Sequence, residues 1–303
     1  MSGKRILLIS KTPLVARLEG GVLGRLSHSG VIDLERLKAA ASNHEQTILA
    51  VRRALAQHRI NEWQVDRLQP RDAEGKDLVV TVGGDGTVLT ANSLDSELPM
   101  ITVNSDPGGS VGMYTRCDGS SFPALFDAWL AGRSQVECIP RLQMRIDGGQ
   151  AWRILNECLF ASANPAAMTR YLLEIPEAPG SSSWRREEQR SSGVWIATAS
   201  GSTAAIHSAG MQTAEAHGPA LLFLVREPFQ GLRRMDLLQG RQLPPLGLRL
   251  TPAMPGVSIF IDGPHIHRSV PPGSLVEFSA SPIPLRLLTL PPGPEGGQAG
   301  GQD

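Results

Sequence analysis

The sequence predicts an α/β half with a parallel sheet, followed by a mostly antiparallel β half. Over residues 1 to 133, short apolar runs alternate with helical patterns, and strands that alternate with helices form parallel sheets. From residue 134 onwards, short β-like runs are separated by turn-rich pieces such as DGGQ and PAMPG. With 303 residues, 41% of them hydrophobic, the chain is long enough to bury two cores.

The first half begins with an apolar run, RILLI at residues 5 to 9, that predicts a buried strand. A long helix follows at residues 34 to 58, where apolar side chains recur near helical spacing. Residues 120 to 131 predict a second helix with a serine cap and a proline near its start. Further strands are predicted at residues 63 to 68, 77 to 82 and 100 to 103.

The second half is predicted to contain three parts: a β-rich domain at residues 134 to 275, a segment at 276 to 290 that returns to the first domain, and a tail. The tail, residues 291 to 303, is mostly Gly, Pro and Gln without an apolar anchor and is predicted to be disordered. The stretch PEAPGSSSWRREEQRSSG predicts an exposed hairpin loop. Strands are predicted at residues 143 to 146, 153 to 160, 171 to 175, 194 to 197, 220 to 225, 247 to 250, 258 to 261 and 275 to 279.

Charge and cysteine content exclude several classes of protein. Lys+Arg and Asp+Glu are both 29, so no bulk positive charge is available to hold a nucleic acid or an anionic membrane. Cys117, Cys138 and Cys158 are scattered and lack CxxC spacing, which indicates neither a disulfide framework nor a metal site. No run of 18 apolar residues and no signal segment is visible. We therefore expect a soluble, cytoplasmic protein with no nucleic-acid or membrane partner.

The most informative stretch is a glycine-rich turn between a strand and a helix. The run DLVVTV leads into Gly83-Gly84-Asp85-Gly86-Thr87, and apolar residues then resume at helical spacing. Open α/β sheets bind ligands at this edge, and backbone N–H groups of such a turn hold phosphate oxygens. Asp85 could accept a proton from an alcohol or help place Mg²⁺. The alternative is a tight loop in which Asp85 only caps the helix. No Lys follows the glycines, so this is not a Walker A loop.

Three further segments place polar or glycine residues beside apolar runs. Residues 103 to 115, VNSDPGGSVGMYT, follow a strand and predict a second backbone-lined wall. Asn156-Glu157 lies inside the apolar run RILNECLF, and adjacent strand residues face opposite sides, so one of the pair is expected to face a polar cleft. The alternative is a satisfied buried polar pair. Gly201-Ser202-Thr203 forms a turn between a strand and a helix of small residues.

In this order, the four segments resemble the NAD kinase family, whose glycine-aspartate, Asn-Glu and Gly-Ser-Thr motifs they match. The later stretch IFIDG…VPPGSLVEFSASPIPLRLL is similar to the closing strands of that family, and the resemblance spans residues 4 to 290. The segment SNHEQTILAVRRAL looks more like the mitochondrial-type branch and its bacterial relatives. The resemblance implies a Rossmann-like α/β domain, a C-terminal β-sandwich domain that binds dinucleotide, and a cleft between them.

The resemblance also implies an activity: ATP, with Mg²⁺ or another divalent cation, phosphorylates the adenosine ribose 2′-hydroxyl of NAD to give NADP, in a homodimer or homotetramer. Asp85 would be the catalytic base. The residues implied around the ATP phosphates are Gly83, Gly84, Gly86 and Thr87. The residues implied for NAD are Asn156, Glu157, Thr203, Ala204, Ser208, Gly112, Met113 and Tyr114.

Two departures from the family pattern keep other functions open. Ala205 stands where many members have Tyr, and Ser192 replaces an acidic residue on the nicotinamide side. These changes allow a catalytically silent NAD(P)-binding regulatory protein. Diacylglycerol and sphingosine kinases share the glycine-aspartate turn, so a lipid kinase is a further alternative. The Asn156-Glu157 motif and the lack of an amphipathic membrane segment argue against a lipid substrate.

Overall fold

The computed structural model describes residues 3–215, 218–229, 231, 235–264 and 266–291. Apart from residue 291, the predicted tail at residues 291 to 303 lies outside the described residues. Helices are α1 (Leu14–Arg17), α2 (Gly20–His28), α3 (Leu34–Ala54), α4 (Asp85–Asn92), α5 (Phe122–Leu130) and α6 (Ala205–Ser208), with short 3-10 helices at Val65–Arg67, Pro70–Ala73 and Ser200–Thr203. No helix in this part of the chain combines the length and apolarity needed to cross a membrane.

Most of the remaining ordered structure is β-strand. The strands are β1 (Arg5–Ser10), β2 (Arg59–Gln64), β3 (Leu78–Gly83), β4 (Met100–Asn104), β5 (Cys117–Asp118), β6 (Gln135–Ile139), β7 (Leu142–Ile146), β8 (Trp152–Ile154), β9 (Glu157–Ser162), β10 (Thr169–Pro176), β11 (Trp184–Ser191), β12 (Val194–Thr198), β13 (Leu221–Val225), β14 (Gln239–Gln242), β15 (Leu248–Pro252), β16 (Val257–Ile261), β17 (Ile266–Val270), β18 (Val276–Ala280) and β19 (Leu285–Thr289).

The chain divides into two compact units. Unit 1 contains the described residues of Met1–Ala91, Leu98–Glu137 and Arg286–Asp303, and unit 2 contains those of Asn92–Glu97 and Cys138–Leu285. Unit 1 therefore includes a late segment of the chain, and unit 2 includes a short early one.

Unit 1 is built on a seven-stranded sheet with the order β2-β1-β3-β4-β19-β6, and β5 pairs with β4. β1 pairs in parallel with β2 and β3, and β3 pairs in parallel with β4, as the alternating pattern predicts. The predicted long helix is confirmed as α3, which begins where Asp33 accepts a hydrogen bond from the N–H of Arg36 at 3.0 Å. The helix predicted at residues 120 to 131 is confirmed as α5, with the proline near its start, but the predicted serine cap is wrong: Ser121 makes no side-chain capping bond, because its hydroxyl bonds to Asp118. One face of α5 packs Phe122, Leu125 and Phe126 into the core against the sheet.

The strand predicted at residues 63 to 68 is wrong in position. β2 begins at Arg59 and ends at Gln64, and Val65–Arg67 forms a 3-10 helix. β2 is an edge strand with mostly exposed side chains, so its sequence has no apolar pattern that marks its ends. Its position is set by parallel pairing with β1, which is a long-range contact that local periodicity does not encode.

Unit 2 contains two six-stranded sheets, with the orders β11-β10-β15-β18-β7-β8 and β14-β13-β12-β9-β16-β17. Neighbouring strands in both sheets are antiparallel, which confirms the predicted β-rich half. Side chains from both sheets form one core, in which Phe160 and Tyr171 meet edge to face with ring centroids 5.3 Å apart. The strands therefore alternate between core-facing and outward-facing side chains.

The predicted hairpin loop at PEAPGSSSWRREEQRSSG is wrong over its second part. Residues Trp184–Ser191 form β11, which pairs along its whole length with β10. The charged sequence gave no apolar alternation, yet Gln189 and Ser191 are each 1% exposed. β11 is at the edge of its sheet, where charged side chains are tolerated and protect against unwanted pairing.

Candidate active site

The glycine turn connects β3 directly to α4. β3 ends at Gly83 and α4 begins at Asp85, so Gly84 alone links them. A Cβ at Gly83 would collide with the hydroxyl of Thr87, whose own N–H donates to the carbonyl of Gly84 at 2.9 Å. A Cβ at Gly84 would lie 2.9 Å from Ser110 Oγ. Close approach therefore requires the first glycine, whereas Gly84 meets only a hydroxyl that can rotate and Gly86 faces open space.

Asp85 joins this turn to the second glycine-rich loop. The main-chain N–H of Met113 donates to Oδ2 of Asp85 at 3.0 Å, and the N–H of Tyr114 donates to Oδ1 at 2.7 Å. The N–H of Ser105 also donates to the carbonyl of Gly83 at 3.0 Å. The carboxylate of Asp85 thus binds the second loop, and helix capping is not its role here. Its two oxygens are fixed in orientation, and each retains further acceptor capacity.

The second glycine-rich loop, residues 103 to 115, turns its main-chain N–H groups towards Asp85 in the first. Gly112 has φ of 70°, and a Cβ there would lie 2.9 Å from Asn104 Nδ2. The ring of Tyr114 is buried, at 2% exposed, and its carbonyl accepts a hydrogen bond from Thr102 Oγ1 at 2.7 Å. The structure therefore brings Gly83, Gly84, Asp85 and Thr87 together with Gly112, Met113 and Tyr114 within unit 1.

The prediction that Asn156 and Glu157 lie in one continuous strand is wrong. β8 ends at Ile154 in one sheet of unit 2, and β9 begins at Glu157 in the other. The chain crosses between the sheets at Leu155 and Asn156, where both main-chain N–H groups donate to Asp262, at 3.0 Å to Oδ2 and 2.8 Å to Oδ1. The crossing was not predicted because the residues before and after it are buried in the same core and therefore read as one apolar run.

Glu157 is a buried acid with an incomplete set of partners. It is 9% exposed, and its Oε2 has no hydrogen-bond partner among the described residues. Burial, and to a smaller extent the charge of Asp262, raise the pKa of Glu157 to about 7, although the main-chain N–H of Ala205 favours the ionised form. Near neutral pH this carboxyl group can either donate or accept a hydrogen bond. That suits it to contact a hydroxyl-bearing ligand.

A buried polar network lies next to this acid and was not predicted. Arg141 is 3% exposed and donates to Asn92 Oδ1 at 2.7 Å, while Asn92 Nδ2 donates to Asp262 Oδ2 at 2.8 Å. Burial raises the pKa of Asp262 to about 6 against the effect of its N–H donors. In the sequence, this network is marked only by Asp262 in FIDG and Arg141 in IPRLQM. Neither residue shows from its neighbours which side chain it will bond.

The Gly-Ser-Thr turn packs on the Asn156 segment. A Cβ at Gly201 would collide with the main-chain carbonyl of Asn156. Thr198 Oγ1 donates to the carbonyl of Leu155 at 2.6 Å and accepts from the N–H of Gly201 at 2.9 Å. Three residues implied for NAD are exposed or half-buried here: Thr203 in the turn, and Ala204 and Ser208 after it. The Asn-Glu and Gly-Ser-Thr motifs are thus in direct contact. They begin 45 residues apart in the sequence.

A cavity of about 490 Å³ opens on unit 2 beside these motifs. Glu157 lines it together with both positions that depart from the family pattern, Ser192 and Ala205. Trp195 and Arg226 also contribute, with the guanidinium carbon 5.9 Å from the indole centroid. Within the described ranges, no group of three or more His, Cys, Asp or Glu side chains could hold a metal ion.

Two solved structures share this fold. The chain superposes on the NAD kinase of Archaeoglobus fulgidus in complex with ATP with a TM-score of 0.62 and 18% identity, covering 93% of this chain and 92% of that one. It superposes on yeast NADH kinase complexed with NADH with a TM-score of 0.67 and 16% identity, covering 96% and 84%. The predicted fold class, a Rossmann-like α/β domain with a C-terminal β-sandwich domain, is confirmed.

Sequence comparison narrows the class to a family. Residues 35–134 match the model of the ATP-NAD kinase N-terminal domain. The chain is 30% identical over 268 residues to a probable NADH kinase of Oryza sativa subsp. japonica, covering 82% of each chain. It is 31% identical over 215 residues to an NAD kinase of Methanospirillum hungatei, covering 70% of this chain and 74% of that protein. The chain belongs to the NAD kinase family.

Proposed function

We propose that the protein uses ATP to phosphorylate the adenosine ribose 2′-hydroxyl of NAD, giving NADP. One observation carries this proposal: in a member of the NAD kinase family, the carboxylate of Asp85 is fixed between two glycine-rich loops by the N–H groups of Met113 and Tyr114. The relatives reported above are NAD or NADH kinases, and they give no support to a lipid kinase or a silent regulatory protein.

Asp85 acts as the general base in this proposal. Its carboxylate is held by two main-chain donors and keeps lone pairs that can accept the proton of the 2′-hydroxyl. Gly83, Gly84, Gly86 and Thr87 bind the ATP phosphates through the main chain of the turn and the start of α4. Phosphoryl transfer needs mainly positioning and charge stabilisation, and a rigid turn supplies both.

A divalent cation fits this arrangement as a companion of ATP. Mg²⁺ usually takes one or two carboxylates and completes its shell with phosphate oxygens and water, and the described residues contain no cluster that would hold a metal alone. Asp85 is the residue that would help to hold it. When bound, the cation neutralises charge on the transferring phosphoryl group.

The NAD side of the proposal rests on Glu157 and the cavity beside it. A carboxyl group with a pKa near 7 and an unpartnered oxygen can pair with a ribose hydroxyl or an adenine nitrogen. The remaining residues proposed to contact NAD are Asn156, Thr203, Ala204, Ser208, Gly112, Met113 and Tyr114.

NADH is a second candidate acceptor, favoured by Ser192. The oxidised nicotinamide ring carries a positive charge that the reduced ring lacks, so replacing an acid by Ser192 removes an attraction that would favour NAD. Rice and Arabidopsis relatives at 30% identity are named as NADH kinases.

The test incubates purified protein with Mg²⁺-ATP and, in separate reactions, NAD, NADH and a sphingoid base. NADP formation is followed with an NADP-specific dehydrogenase, NADPH by chromatography, and lipid phosphate by radiolabel. Product from either dinucleotide supports the proposal and ranks the two acceptors. Dinucleotide binding without product would instead favour a regulatory protein, and labelled lipid would favour a lipid kinase.

A cytoplasmic location and a homodimeric or homotetrameric assembly are parts of the same proposal. They rest on the family resemblance and on the balanced charge of the chain. Light scattering of the purified protein tests the assembly, and fractionation of cells that express it tests the location.

A further inference from the structure

Lys11 lies beside the first glycine of the phosphate turn. It directly follows β1, and its N–H donates to the carbonyl of Val82 at 3.1 Å. Ser10 pairs with Val82 in the parallel register of β1 and β3, so the next position on β1 is level with Gly83. The carboxyl end of β1 therefore carries a lysine to the ligand-binding edge of the sheet.

The charges around Lys11 leave it as the local cation. Burial lowers the pKa of Lys11, and the carboxylate of Asp106 in the second loop partly offsets that effect. His44 of α3 is 2% exposed, and burial followed by the charge of Lys11 lowers its pKa to about 4. The imidazole is thus neutral near pH 7, and the positive charge resides on the ammonium group.

Two buried hydroxyl groups flank the same turn without partners. Thr12 Oγ1, next to Lys11 in the chain, and Ser105 Oγ make no hydrogen bond among the described residues. Ser105 is 1% exposed, and its N–H donates to the carbonyl of Gly83 at 3.0 Å. Buried hydroxyl groups are normally hydrogen-bonded. These two hydroxyl groups are therefore unusual, but both oxygens are closed to solvent and would meet a ligand only after a local rearrangement.

The use of lysine here is unusual for this chain. Of its 29 basic residues, only Lys4, Lys11, Lys38 and Lys76 are lysines, and the others are arginines. Lys4 and Lys38 are exposed, whereas Lys11 and Lys76 are half-buried, and of these two only Lys11 lies at the carboxyl end of a strand. An ammonium group is a compact point charge that can bind phosphate where a planar guanidinium is too wide.

We propose that Lys11 binds the triphosphate of the donor nucleotide, in a subsite formed by the carboxyl ends of β1, β3 and β4. It supplies the cation that the glycine turn lacks. The inference deepens the proposed function, on which its choice of ATP as the ligand rests.

The first test measures binding by calorimetry with ATP and with inorganic tripolyphosphate. Lys11→Met is expected to weaken both about 10- to 100-fold, the range for loss of one hydrogen bond to a charged group. Lys11→Arg keeps the charge and should lose less. Lys76→Met is the matched control, since Lys76 is half-buried and precedes β3 at the opposite edge of the sheet. Thermal unfolding verifies that each variant is folded.

The second test labels the wild-type protein with pyridoxal 5′-phosphate and borohydride. The aldehyde condenses with a neutral lysine amine and releases water, and borohydride reduces the imine. Lys11 should be the main labelled residue, with ATP but not NAD protecting it. The peptide is identified by mass spectrometry, and the Lys11→Met protein should lose this label.

The outcomes separate this inference from the proposed function. A folded Lys11→Met protein with wild-type affinity for ATP and tripolyphosphate, or labelling that ATP leaves unchanged, would overturn the assignment of Lys11 even if the wild type makes NADP. If the wild type makes no NADP or NADPH but polyphosphate binding still depends on Lys11, the phosphate subsite stands and the acceptor assignment fails.

Discussion

Replacing Asp85 with Asn is expected to lower kcat for dinucleotide phosphorylation by about 10²- to 10⁴-fold, the usual contribution of a general base. The amide cannot accept the proton of the 2′-hydroxyl. Because the substitution keeps the shape of the side chain, the KM for ATP should change less than kcat.

The same substitution has a structural cost that can be worked from the hydrogen bonds. The two oxygens of Asp85 accept from the N–H groups of Met113 and Tyr114, at 3.0 and 2.7 Å. Asn keeps one acceptor and turns its NH₂ group towards the other N–H. Loss of one hydrogen bond to a charged group lowers the free energy of unfolding by about 1.5 to 3 kcal/mol.

A matched variant separates the two effects. Asp118 is also half-buried, and it accepts main-chain N–H groups of Ser120 and Ser121, both at 2.9 Å. The hydroxyl groups of both serines bond to the same oxygen, Oδ1, so Asp118→Asn removes the charge of a hydrogen-bonded carboxylate without losing an acceptor. It should lower stability, by less than Asp85→Asn, with kcat unchanged. Steady-state kinetics at saturating substrates and urea unfolding are measured on both variants. A folded Asp85→Asn protein with wild-type kcat would refute the role of Asp85 as base.

Three other substitutions test the site and its support. The free energy of unfolding of the wild type should fall by on the order of 3 kcal/mol as the pH rises from 4.5 to 7, because the folded protein keeps the proton of Glu157 to about pH 7 while the unfolded chain releases it near 4.5. Glu157→Gln should remove this fall. Urea unfolding across that pH range measures both proteins, and a wild-type curve without the fall contradicts the prediction. Gly83→Ala should lower the free energy of unfolding by about 1 to 3 kcal/mol and weaken ATP binding, because the new Cβ would collide with the hydroxyl of Thr87. The control Gly24→Ala, which meets no neighbouring atom on α2, should be neutral or stabilising in thermal unfolding. Arg141→Met should lower the free energy of unfolding by about 1 to 3 kcal/mol per lost bond, because Asn92 Oδ1 and the carbonyl of Ile283 lose their buried donor, whereas Arg170→Met at an exposed position should change urea unfolding little.

The phosphate turn was predictable because all of its causes are local. A buried apolar run fixes β3, the collision that a Cβ would make at Gly83 explains the first glycine, and a helical pattern follows at once. The parallel sheet followed from the alternation of strand and helix patterns. The same local reading failed at β11, where pairing with β10 stabilises a charged strand that shows no apolar period.

The crossing at Leu155 and Asn156 also lay beyond local reading. Two short strands that enter different sheets gave a single apolar run, since both are buried on one core. Only the hydrogen bonds to Asp262, more than a hundred positions away, show why the chain turns there.

The sequence by itself determined the order of the elements, the glycine-aspartate turn and the family. These depend on residues that are close along the chain, where spacing and conformational preference act directly. Only the tertiary structure decided which groups meet: Asp85 with the N–H groups of the second loop, Asp262 with Asn92 beside Arg141, and Lys11 beside Gly83. Such contacts are set by strand register and by the need to pair buried polar groups, and neither is visible in the local order of residues.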